Sequence, residues 1–435
     1  MMTEHYKTLS EYYDTVLQEA CKTCTRCGAC VAVCPNTEAL GLDPDARQKL
    51  PNRLLEVIAG AAASDEVYRW VFGCNHCGAC RSVCPEGLNP FLTNKILRRQ
   101  LLQQREPHIT SLHANLTSPQ GSPLRTMDMI HQLVAGTGPH RWISAVPNEP
   151  EPVDTVVFLG CAGLMRPDIT SALLDLLDAA GVAYVALGGT QFCCGSMFQF
   201  LGDVERFERH LRALLAALTA FQPREVAYLC AECLHNTTSA GAVIQDLPFA
   251  QTSATALLAR HLGRLQFDRG LTARATVHDA CSLGRLCGDC ASPRALLQAV
   301  PNLELVEMAH AGLNGICCVA PGEMFVPGKN RALQQQRIAE FRQAGADFLV
   351  TTCVGCETCF QRLLPEKQEV VVNILPFIGS WLGREYRDPL ADFRRHWDVE
   401  GTLQAFRGNL LSSGYTLEEF QQLLMRLFNV RPPAT

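Results

Sequence analysis

The chain has 435 residues, too many for one core, and its 47% hydrophobic and 19% charged composition is that of a globular protein with sizeable interiors. A formal net charge of −5, with no long basic stripe, argues against nucleic acid as a partner. Twenty-two cysteines, about 5% of the chain, appear without a secretory leader, which points to bound metal rather than to disulfides.

The N-terminal stretch MMTEHYKTLSEYYDTVLQEA carries acids and no apolar run, so a cytoplasmic protein is expected. An amphipathic helix is predicted over Tyr6–Ala20, with Leu9, Tyr13, Val16 and Leu17 near one face. Then comes CKTCTRCGACVAVCPN, with Cys24, Cys27, Cys30 and Cys34 before Pro35. A helical stretch is predicted from Pro51 to Phe72. It is followed by GCNHCGACRSVCPEG, with Cys74, Cys77, Cys80 and Cys84 before Pro85. A basic helix is predicted from Pro90 to about Arg105.

Each cysteine run is C-x2-C-x2-C-x3-C-P, the ferredoxin spacing in which the fourth cysteine serves the other cluster. Three closely spaced thiolates can wrap one face of a cubane. The spacing therefore assigns Cys24, Cys27, Cys30 and Cys84 to one [4Fe–4S] cluster. It assigns Cys74, Cys77, Cys80 and Cys34 to a second. Zinc needs only four thiolates and usually shows two separated C-x2-C pairs.

Residues 107–152 are rich in Pro, Gly, Ser, Thr and His and read as a linker with one helix over Leu124–Val134. From Val153 short β-rich runs alternate with helices. Strands are predicted at VVFLGC, VAYVAL and EVAYLC, with helices over Ile169–Ala180, where Gly181 can cap, and Val204–Phe221. The order then repeats. TVHDAC, LELVEM and DFLVTTC are strands, and Pro293–Val300 and Asn330–Ala344 are helices. The uncharged run Gly181–Gly202 holds five glycines and polar residues, so it is a poor membrane helix. A helical tail follows about residue 386, with Leu403, Phe406, Leu410 and Leu411, then Phe420, Leu423, Leu424 and Leu427.

The cysteines repeat as well. Cys161, Cys193, Cys194, Cys230 and Cys233 recur as Cys281, Cys317, Cys318, Cys353 and Cys356, at offsets of 120, 124, 124, 123 and 123. Adjacent cysteines are poor disulfide partners. Two such pairs, placed beyond predicted strand ends, imply thiolates converging on one object in each copy.

The Cys…Cys-Cys…Cys-x-x-Cys frame resembles the cysteine-rich CCG domains of heterodisulfide reductase catalytic subunits and of iron–sulfur subunits of anaerobic glycerol-3-phosphate dehydrogenase and glycolate or lactate oxidase. Gly160-Cys161, HDACSLGR at His278–Arg285, Leu303–Met308 and GADFLVTTCVGCE at Gly345–Glu357 carry the likeness. The fused order resembles the D subunit of heterodisulfide reductase.

The resemblance implies an α+β multidomain chain. A mostly helical two-cluster ferredoxin domain (1–106), the linker, two pseudo-repeated small α/β CCG domains (153–262 and 263–385) and the tail (386–435) follow one another. It implies noncubane [4Fe–4S] clusters held by the ten repeated cysteines, with Cys193, Cys194, Cys317 and Cys318 at the catalytic centres. The second site departs from the frame, because Val319, then Ala320-Pro321-Gly322, stands where a glycine is expected. Zinc or an ordinary cubane is an alternative there.

The activity implied is passage of single electrons through the cubanes to clusters that reduce a disulfide. The alternative role is electron relay from a flavin dehydrogenase towards quinone, and a zinc-stabilised scaffold is a third reading. No G-x-G-x-x-G follows a strand, so a flavoprotein or a membrane cytochrome subunit is the expected partner, and the chain would reach a membrane only through it. Cys21, Cys287, Cys290 and Cys359 are left over and are read as free thiols. His235, His278, Asp279, Glu232 and Glu357 are read as hydrogen-bond partners or proton donors.

Overall fold

The computed structural model describes residues 5–102, 114–115, 117–119, 121–268, 272–320, 331–364, 370–391 and 398–427. Arg105 of the predicted basic helix, Pro321-Gly322 and Asn330 lie outside them, as does the side chain of Leu427.

The N-terminal unit is helical. Thr8 caps the helix Leu9–Thr23 by accepting from the Glu11 N–H. The predicted stretch Pro51–Phe72 is two helices, Pro44–Ile58 and Asp65–Phe72. Asp43 caps the first through the Ala46 N–H, and Pro51 lies inside it. The basic helix runs Pro90–Leu101. The two cysteine runs fold alike. Arg26 and His76 have φ +61° and +54°, and Gly28 and Gly78 have +76° and +74°. Left-handed residues at matching places let each run curl around a common centre.

Each later repeat forms a four-stranded parallel sheet. β1 (Thr155–Phe158), β2 (Val185–Leu187), β3 (Glu225–Tyr228) and β4 (Ala250–Ser253) are ordered β2-β1-β3-β4. β5 (Ala273–His278), β6 (Leu303–Leu305), β7 (Phe348–Thr351) and β8 (Val370–Asn373) are ordered β6-β5-β7-β8. In both sheets the chain leaves the first strand to one side and returns on its other side. The first and third strands therefore flank a switch point, where a crevice opens beyond their carboxyl ends.

The two repeats meet as a two-fold pair. The helix after β1 (Pro167–Ala179) packs on the helix after β8 (Ile374–Ser380), and the helix after β4 (Ala254–Arg260) packs on the helix after β5 (Ala291–Gln298). Each contact is the other with the copies exchanged, so one patch serves both sides. Leu173, Leu176, Leu257, Leu297, Phe377 and Trp381 form one continuous interior there.

The N-terminal unit docks on the first repeat. Leu9, Tyr13, Leu17 and Ile96 bury against Phe198, Phe207, Leu211 and Leu215. The fully buried Arg98 donates to the carbonyls of Val71, Phe72, Cys74 and Phe200, joining a ferredoxin loop to the short helix after Cys193-Cys194. The linker helix, Pro123–Ala135, packs on the tail helix Leu417–Leu427 through Met129, Ile130, Leu133, Phe420 and Leu423.

Candidate metal centres and the cavity between them

All twenty-two cysteines are free thiols, and the structure gathers most of them into four groups. Cys24, Cys27, Cys30 and Cys84 line one cavity of about 70 Å³, beneath Leu54, Ile58 and Trp70. Cys34, Cys74, Cys77 and Cys80 line another of about 20 Å³. The fourth cysteine of each run has thus crossed to the other group. Burial pushes the Cys30 thiol up to about 11, and the neighbouring Cys24 and Cys27 add to it. Burial also pushes Cys34 and Cys80 up.

Site one is built at the β1/β3 switch point. Cys161 begins the turn after β1, Cys193-Cys194 follow β2, and Cys230 and Cys233 bracket the start of the short helix after β3. Cys233 Sγ lies 3.3 Å from Cys194 Sγ, and Asn236 Nδ2 donates to Cys194 at 3.7 Å. The Gly195 N–H, in a left-handed turn, reaches back to Cys193 Sγ at 3.3 Å. Burial pushes Cys193 up to about 12 and Cys161 well above its ordinary value.

Site two repeats this geometry. Cys356 Sγ lies 3.0 Å from Cys318 Sγ, and the Val319 N–H reaches Cys317 Sγ at 3.3 Å. Cys281 stands beside Cys317 and pushes its thiol up. Cys353, helped first by a hydrogen bond from Cys356, is brought down to about 7. Val319 adopts the left-handed turn, with φ +60°. Cys359 stands beside Cys318, so a sixth thiol lies at site two. In the sequence it reads as a bystander. The signal is its register, because the 123-residue offset maps it to Asn236, which touches Cys194 in site one.

The N-terminal unit meets site two directly. Cys317 stands beside Cys77 and brings it down to about 6. Arg285, in the π-helical turn Ser282–Leu286, donates to the Cys77 carbonyl at 2.7 Å and to those of Leu313 and Gly315.

Between the two sites lies a cavity of about 430 Å³. Cys230 of site one and Cys353 and Cys359 of site two stand in its wall, with Glu232 and Ser282 beside them. Ile130, Met165, Ile169 and Leu390 make an apolar end. The adjacent pairs Cys193-Cys194 and Cys317-Cys318 are not in this wall and are buried.

Of the acids and histidines read from the sequence, only Glu232 lines the cavity. It accepts from Ser196 and Ser282, and Lys95 of the N-terminal unit stands 3.5 Å away. Burial would raise Glu232, but Lys95 and His235 hold it below its ordinary value. Glu357 is a structural partner of the buried Arg166, at 2.7 Å. Asp279 is held by Arg294 and the Gly312 N–H. His235 lies beside Phe91, and His278 faces site two. Among the spare cysteines, Cys287 donates to the Ala231 carbonyl and Cys290 packs against Gly284.

Crowded buried thiols of this kind raise one another, so a set ionises together only around a positive centre. That chemistry fits iron–sulfur clusters at all four groups. No helix among the described residues is long and apolar enough to cross a membrane.

Comparison with known proteins agrees. Residues 20–88 match a 4Fe-4S dicluster domain, and residues 155–237 and 275–361 match the CCG cysteine-rich domain. The chain is 25% identical over 418 residues to the D subunit of dihydromethanophenazine:CoB–CoM heterodisulfide reductase from Methanosarcina mazei, covering 83% of this chain and 94% of that protein. It is 25% identical over 240 residues to EtfAB:quinone oxidoreductase of Syntrophomonas wolfei, covering 51% and 33%. It is 24% identical over 212 residues to lactate utilization protein A 1 of Bacillus mycoides, covering 46% and 85%. The chain is an iron–sulfur electron-transfer protein related to the heterodisulfide reductase D subunits, with a dicluster domain followed by two CCG domains.

Proposed function

We propose that this chain reduces a disulfide in the cavity between its two CCG sites, using single electrons delivered through the ferredoxin domain. The cavity of about 430 Å³ carries the proposal, because its wall holds sulfur from both sites. A pure relay needs two centres close together and no room for a substrate between them.

Cubane [4Fe–4S] clusters on Cys24, Cys27, Cys30, Cys84 and on Cys34, Cys74, Cys77, Cys80, with noncubane clusters on the two sets of five CCG cysteines, would supply electrons one at a time. Cys27 is the exposed member of the first group and marks the side where a partner delivers electrons. A flavoprotein or a membrane cytochrome subunit would fill that role. Cys77 against Cys317 makes site two the first CCG site reached. Cleavage takes two electrons and two protons and leaves two thiols. Cys230 and Cys353 place the two sulfurs, the Lys95–Glu232 pair puts charge at the wall where protons must arrive, and Ile130 and Leu390 line the apolar end. Similarity to the EtfAB:quinone oxidoreductase and to the lactate utilization protein supports the alternative relay reading, in which no substrate enters the cavity.

Cys194→Ser tests the assignment. In anaerobically purified protein it should remove the site-one signal and lower iron from roughly sixteen to roughly twelve per chain. The ferredoxin clusters should stay reducible by dithionite. Loss of all cluster signals together would contradict the separation of sites.

A further inference from the structure

The two CCG sites share a frame of five thiols, and beyond Cys359 they differ in what stands behind them. Phe158 and His278 are the last residues of the matching strands β1 and β5. In the first repeat Phe158 and the buried Leu214 close an apolar wall around Cys194 and Cys233. In the second repeat His278 and Arg337, both buried, occupy these places. The same 123-residue offset that relates β3 to β7 relates Leu214 to Arg337.

A buried imidazole and guanidinium in place of two apolar side chains costs desolvation, so the exchange needs a reason. Arg337 is held by Glu340 at 2.7 Å and by the carbonyl of His310 at 2.6 Å. Its Nε–H donates to His278 Nδ1 at 3.2 Å. A guanidinium has only donors, so Nδ1 must accept, and the proton of the neutral ring is on Nε2. Nε2 is buried with no hydrogen-bond partner among the described residues. One ring nitrogen lies within 4.8 Å of the Cys318 and Cys356 sulfurs. A protonated Nε2 has no lone pair for a metal, so this histidine is a donor and not a ligand.

We infer that His278, positioned by Arg337, donates its Nε2–H to the cluster held at site two and raises that site's potential. A hydrogen bond to cluster sulfur favours the reduced, more negative state, so it raises the potential. Site one has phenylalanine there and receives no such bond from this position. The inference rests on the proposed cluster at site two.

The test is an anaerobic redox titration of the full chain, followed by EPR. His278→Phe, alone and with Arg337→Leu, copies the first repeat. The site-two midpoint should fall enough to shift the oxidised-to-reduced ratio at least tenfold at a fixed potential, ~59 mV for one electron. Site one and the ferredoxin midpoints should stay, and iron content should not change. His278→Gln, with an amide N–H in reach of the same place, should restore most of the shift. An unmoved midpoint with the cluster retained overturns the inference alone. Loss of site-two iron in both His278→Phe and His278→Gln overturns it in favour of a ligand. A native chain with no site-two signal removes the cluster reading and the inference together.

Discussion

At the scale of single residues, Val319 carries the sharpest contrast. Its φ of +60° matches the +77° of Gly195, and both N–H groups reach a cysteine sulfur at 3.3 Å. A β-branched residue held there stores roughly 1–3 kcal/mol of strain, and the turn is kept in spite of it. The reverse exchange has no room. A Cβ on Gly195 would lie 2.9 Å from the Phe207 carbonyl oxygen and 3.1 Å from Phe207 Cα. Gly195→Val should therefore cost at least ~2 kcal/mol in thermal unfolding and lose site-one iron. Val319→Gly should keep both sites loaded, as read by iron content. The convergent cysteines were legible in the sequence because metal ligands come in fixed spacings. Cys359 and the Arg337–His278 pair were not. Their meaning depends on which first-repeat residue each replaces, and that becomes visible only when the two sheets are overlaid.

At the scale of elements, alternation of strand and helix announced parallel α/β units, and the third strands end just before Cys230 and Cys353 as expected. The edge strands β4 and β8 were not legible. Ala250–Ser253 offers only Thr252 as a strand former, and Val370–Asn373 has no alternation to show a half-buried strand. Pro51 reads as a helix start in the sequence but lies within Pro44–Ile58, whose cap is Asp43. The two-fold contact of the repeats was hidden too, because each of its helices reads as an ordinary apolar stripe. Phe377→Ala, in the shared interior, should cost ~3–5 kcal/mol, read as a lower denaturant midpoint. It should do so without removing the ferredoxin signals, which belong to a separate interior.

At the scale of the whole molecule, the four thiol groups form a sequence from the exposed Cys27 through the second ferredoxin group to site two, the cavity and site one. The junction at Cys77 and Cys317 is fixed by Arg285, which ties the Cys77 carbonyl to the turn holding Leu313 and Gly315. Arg285→Ala should leave the iron count unchanged and slow reduction of the CCG sites by dithionite-reduced ferredoxin clusters. Freeze-quench EPR reads this, and an unchanged rate would place electron delivery elsewhere. The asymmetry of the pair then acquires a direction, since on the proposed function electrons would reach the histidine-backed site before the phenylalanine-backed one. The central claim is that a sulfur substrate binds between the CCG sites. EPR of the anaerobically purified, oxidised chain with and without a small thiol tests it most directly. A paramagnetic signal that appears only with thiol, and is lost in Cys194→Ser or Cys318→Ser, is the predicted result. A spectrum indifferent to thiol, or a colourless protein with stoichiometric zinc, would contradict it.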